Sequence, residues 1–145
     1  MDEAIPRSRR PYLLFLAFLT GAAVMSLEMA AQRSFSPYFG STNYIWANII
    51  GALMASLALG YYAGGRIADR WPRAPVLLWL LGACGAAASF APLFVHPLAL
   101  ASLPQGITAE QSFRIDLLGS LLLTLLLPVP LVFLLAMAPP FLVRL

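Results

Sequence analysis

Lysine is absent from this chain, and cysteine and histidine occur once each. Nine arginines face six acidic residues, a net charge of +3. Charged residues make up only 10% of the chain, against roughly 25% in ordinary globular domains, so a water-soluble fold could not cover its surface. Cys84, alone in LLGACGAAA, excludes an internal disulfide, and no Cys or His at ligand spacing gives it a metal partner. It reads as a small buried hydrophobe. His96, beside Pro97 at a helix end, has no second imidazole for a haem or metal pair and reads as a solvated loop residue. There is no Ser-His-Asp set, no glycine-rich phosphate loop after a strand, and no carboxylate pair one helical turn apart. No catalytic residue, cofactor or metal is expected. The arginines lie at the ends of apolar runs without aromatic interleaving, which argues against nucleic acid and for lipid head groups as the partner.

What is present is apolar. Hydrophobic residues make up 61% of the chain, and the mean hydropathy is +0.83. The start, PRSRR followed by PYLLFLAFLTGAAV, has the regions of a signal peptide. Its apolar stretch runs on to Met29, close to the ~20 residues a spanning helix needs, and so reads as a retained first membrane helix. The fold class expected is all-α, a single transmembrane domain of four helices at about 11–31, 43–65, 75–95 and 109–143. Pro11 suits a first helical turn. SPYFGST, 36–42, reads as a connection with Ser41 and Thr42 as candidate N-caps. His96-Pro97 closes the third helix, and 96–107 forms the longest connection. Thr108-Ala109-Glu110-Gln111 fits a capping box opening the fourth. Pro128, Pro130, Pro139 and Pro140 interrupt that helix, and a kink is expected near Pro128.

Arginine counting sets the expected orientation. With the N-terminus inside, Arg7, Arg9, Arg10, Arg66, Arg70, Arg73 and Arg144 are cytoplasmic and only Arg33 and Arg114 are outside. Tyr44 and Trp46 mark the outer interface of the second helix; Tyr61, Tyr62 and Trp71 mark the inner one, roughly 25 Å away. Both termini are then cytoplasmic.

Ala52, Ser56, Gly60 and Gly64 place a small residue at every fourth position of the second helix, a flat face for close approach of another backbone. That face packs against helix one or four, or forms a homodimer seam. Glu28 is the one acid inside the first three apolar spans. It lies roughly 25 Å along the first helix, where a carboxylate calls for a partner. Gln32, at i+4, shares its face; Arg33 lies about 140° around. A structural ion pair or hydrogen bond, a substrate or proton site, and simple solvation all stay open for Glu28. Asn43 and Asn48, in the outer half of the second helix, suit interhelical hydrogen bonds.

Gly65-Arg66-Ile67-Ala68-Asp69-Arg70-Trp71-Pro72-Arg73 resembles the G-x-x-x-D-R-x-G-R loop between helices two and three of the major facilitator superfamily, with Pro72 at the second glycine. Four blocks together are similar to the membrane portion of the fused major-facilitator/spermidine-synthase family. They are Glu28 with Arg33; Phe39-Gly40-Ser41-Thr42; Leu57-Ala58-Leu59-Gly60 running into Gly64-Gly65-Arg66-Ile67-Ala68-Asp69-Arg70; and Pro139-Pro140 before Arg144. That resemblance implies a major-facilitator-like helix arrangement. In the family a soluble aminopropyltransferase-like domain follows the membrane helices. None of its enzymatic residues has a counterpart among these 145 residues.

The function expected is therefore a non-catalytic subunit or scaffold of the bacterial inner membrane. It would work in the bilayer with another protein subunit, a spermidine-synthase-like one being the candidate. The alternatives are a half-transporter acting as a homo-oligomer around Glu28, Asn43 and Asn48, and an accessory subunit of a larger membrane complex. Asp69 is expected to cap or pair with a neighbouring helix end, and Arg66, Arg70 and Arg73 to hold the turn at the head groups.

Overall fold

The computed structural model describes residues 10–71, 73–101 and 109–144. It is almost entirely helical, with no strand among the described residues: α1 (Arg10–Phe39), α2 (Asn43–Arg70), α3 (Ala74–Ala101), α4 (Ala109–Leu126), α5 (Pro128–Ala136) and α6 (Ala138–Arg144). Three helices, Pro11–Phe39, Asn43–Arg70 and Pro75–Ala101, are long and apolar enough to cross a membrane. Arg114–Leu126 and Pro128–Arg144 make a fourth span if the pair, bent by 42°, counts as one. By length and composition this is an integral membrane protein.

The helices run longer than the prolines suggest. α1 continues to Phe39 with Pro37 inside it, and α3 continues to Ala101 with Pro92 and Pro97 inside. The connection expected over 36–42 shrinks to Gly40-Ser41-Thr42, and His96-Pro97 does not close the third helix. Proline's fixed φ is helical and removes one backbone donor, a smaller loss in lipid than unwinding and exposing several polar groups. What stops α1 is Gly40, at φ +79°, whose N–H bonds the Ser36 carbonyl at 3.0 Å. That left-handed conformation disfavours any residue with a Cβ and gives a glycine C-cap. Thr42 sits at the N-cap of α2 but makes no side-chain cap bond. The second helix extends past Gly65 to Arg70, so the glycine–arginine motif lies mostly on helix rather than in a loop. The capping box at Thr108 lies outside the described residues.

The expected kink falls at Leu127, and a second break follows at Met137, ahead of Pro139 and Pro140. Each proline lacks the N–H that would close the preceding turn.

α2 is the central helix, packing against α5 most extensively and then against α4 and α6. Ile45, Ile49, Leu53, Ser56, Gly60, Gly64 and Ala68 are its buried residues, in steps of three or four. That spacing keeps them on one stripe. One apolar cluster joins Phe35, Ile49, Leu123 and Val132; a second, at the α2–α3 end, joins Ala68, Leu77, Ala138 and Phe141. α1 and α3 bury little, leaving Leu14, Phe18, Leu78, Trp79 and Leu93 more than two-thirds exposed. Such apolar surface is at home in lipid, where it needs no cover.

Candidate functional site

Two polar side chains of α2 reach across to neighbouring helices. Ser56, buried, donates to the Val129 carbonyl of α5 at 2.7 Å. Asn48 Nδ2 donates to the Leu117 carbonyl at 3.0 Å and to Ser120 Oγ at 3.1 Å, both on α4. Ser120 Oγ in turn donates to the Leu117 carbonyl, and Thr124 Oγ1 to the Ser120 carbonyl at 2.6 Å. Ser120 and Thr124 are completely buried, and the sequence reading overlooked both. Their four-residue spacing in GSLLLT, one helical turn, is the signal that could have found them. Cys84, buried on α3, lies 3.4 Å from the Leu131 carbonyl of α5.

The small-residue face meets the bent fourth span. A methyl built on Gly60 would sit 2.5 Å from Ala136 Cβ and 2.7 Å from the Phe133 carbonyl oxygen. On Gly64 it would sit 2.6 Å from Met137 Cα. Backbones at that separation admit only hydrogen at the contact. Ala52 is one position off the buried stripe, where Leu53 is buried instead.

At the α2–α3 end, Asp69 Oδ1 and Arg144 Nη2 form an ion pair at 2.6 Å, with both side chains more than half exposed. It ties the end of α2 to α6. The Arg66 guanidinium lies 4.9 Å from the Tyr62 ring centroid, within cation–π range. Arg70 and Arg73 are exposed, and Gly65 is partly buried with nothing near its missing Cβ. Trp71 N–H bonds the Ile67 carbonyl at 2.9 Å, and Arg73 N–H bonds the Trp71 carbonyl at 2.8 Å, drawing the turn tight.

The α1–α2 end carries the remaining candidates. Glu28 is partly buried and has neither an ion pair nor a side-chain hydrogen bond among the described residues. Arg33 and Asn43 are exposed. Gln32 is buried at 8% exposure, and its Nε2 has no partner among the described residues. Gln32 and Arg33 both line a cavity of about 220 Å³, with Ser36, Ser41 and Trp46 among its other walls. Glu28, Asn43 and Asn48 do not line it. His96, expected in a solvated loop, is instead on α3, its ring edge-on to Tyr38 of α1 at 6.2 Å.

Among the described residues no three His, Cys, Asp or Glu side chains come together as a metal-binding group. The chain matches no protein-family model, and neither the curated proteins nor the solved structures compared with it give a match.

Proposed function

We propose that the chain is a non-catalytic subunit or scaffold of the bacterial inner membrane, related to the membrane part of the fused major-facilitator/spermidine-synthase family. It holds a major-facilitator-like arrangement, with both termini cytoplasmic, and works with a separate protein partner. One observation carries this reading: the polar groups of α2 that face its neighbours, Asn48 and Ser56, are spent on tying it to α4 and α5. Asn48 and Ser56, from which a transport path could draw, are committed to Leu117, Ser120 and Val129. Breaking such bonds in lipid without replacement is costly, which favours a static bundle over one that alternates its access. The wide apolar exposure of α1 and α3 leaves room for partner helices as well as lipid.

The test is extraction from the native host in mild detergent, without overexpression, followed by native electrophoresis and cross-linking mass spectrometry. A defined stoichiometric complex with a second protein is the expected outcome. A chain that runs alone as a monomer, with no cross-linked partner, overturns the reading.

A further inference from the structure

The cavity at the α1–α2 end has a chemistry that the bundle's packing does not use. Its polar walls are hydrogen-bond donors or can act as such: the Gln32 amide, the Arg33 guanidinium, the Ser36 and Ser41 hydroxyls and the Trp46 indole N–H. Among the described residues no acidic side chain lines it. The N-terminus of α2 opens at the same place, with Ser41 and Thr42 leading into it and no side-chain cap from Thr42. A helix start is electropositive and suits an anion. Gln32 adds an independent sign. It is more than nine-tenths buried, and its Nε2 has no partner among the described residues. A buried amide donor left unpaired is costly, so a ligand acceptor at this point recovers what the fold gives up.

The remaining walls are apolar, Phe35, Ile45 and Ile49 among them. Position narrows the ligand further. Gln32 lies seven residues before the end of the 30-residue α1. At 1.5 Å per residue that is about 10 Å from the helix end, near the boundary of a hydrocarbon core ~30 Å thick. The volume, about 220 Å³, far exceeds the ~10–15 Å³ that one ordered water requires. We propose that this cavity binds an oxyanion carried on an apolar body, the phosphate of a membrane phospholipid. Gln32 and Arg33 hold the phosphoryl oxygens, and the glyceride portion lies over Phe35 and Ile49. The proposal rests on the membrane assignment and is independent of the subunit reading.

Native mass spectrometry of the full chain in a non-phospholipid detergent tests it, with three probes. Dioleoylphosphatidylglycerol supplies head and tail, dioleoylglycerol the tail alone, and inorganic phosphate the head alone. One phosphatidylglycerol is expected to bind per chain, at least tenfold more tightly than dioleoylglycerol, since each hydrogen bond to a charged group is worth about tenfold or more. Gln32→Leu and Arg33→Gln should each weaken that binding about tenfold, while Arg70→Gln, at the other end of α2, leaves it unchanged. Gln32→Leu should unfold at the same or a higher temperature than the parent, because it removes an unpaired buried amide. Lost lipid then cannot be mistaken for lost fold. Equal binding of dioleoylglycerol, or full phosphatidylglycerol binding by Gln32→Leu, overturns the site. Inorganic phosphate binding as tightly as the lipid assigns the site to a free anion and overturns the lipid as its occupant.

Discussion

Gly60 and Gly64 are the residues whose side chains the fold can least tolerate enlarging. Their missing Cβ atoms would overlap Ala136, the Phe133 carbonyl and the Met137 backbone, and backbone cannot turn aside as a flexible side chain can. Gly60→Ala or Gly64→Ala should therefore destabilise the bundle by about 1–3 kcal/mol, as overpacking does elsewhere. Gly51 and Gly85 meet nothing within 4 Å. Gly51→Ala and Gly85→Ala should be neutral, or stabilising by up to about 1 kcal/mol. Thermal unfolding of the four variants in one detergent separates the two classes; equal behaviour would show that the glycine face is not a tight seam. The four-residue spacing of these small residues was legible in the sequence. Which of Ala52 and Leu53 turns inward was not, because a stripe at helical period drifts by part of a residue every turn, and only the partner surface sets its course.

At the scale of the element, helix existence was legible and helix ends were not. Pro37 and Pro97 read as stops, yet each lies within a helix. The rule that proline ends helices assumes water as the competitor for the freed carbonyl, and the bilayer offers none. Gly40 stops α1 by conformation instead. The prolines of the fourth span do act as breaks, at Leu127 and Met137. Close prolines remove several successive donors, more than one turn can absorb. Asp69 links two elements, the end of α2 and α6, through Arg144. Because both partners are more than half exposed, the pair should be worth less than about 1 kcal/mol and weaken with salt. Asp69→Asn, Arg144→Gln and the double variant should all lose about the same small stability. A loss of several kcal/mol, or additive losses in the double variant, would assign Asp69 another role.

For the whole molecule, α2 forms the axis and α1 and α3 the flanks, and orientation is the property to test. The arginine distribution expects the α1–α2 connection outside and the α2–α3 turn inside. Cys84 is buried, so a membrane-impermeant maleimide should leave the parent chain unlabelled. Thr42→Cys should label in intact cells and Trp71→Cys only after the membrane is opened; both positions are exposed. The reverse pattern would overturn the orientation. Asn48 shows the limit of reading at this scale. Its polarity announced an interhelical bond, but not that Leu117 and Ser120, some seventy residues on, would supply it.

The sequence by itself determined the solvent and the elements: scarce charge and long apolar runs admit only a membrane, and in lipid the backbone must bond within each segment, which dictates helices. Tertiary structure alone decided which faces meet. Between helices in lipid there is no hydrophobic force to sort one apolar side from another. The choice falls to close contacts such as Gly60 on Ala136, and to single hydrogen bonds such as Ser56 to Val129. Tertiary structure also left Gln32 buried at a cavity with its Nε2 unpartnered among the described residues, because burial depends on a neighbour that the local spacing of α1 does not encode.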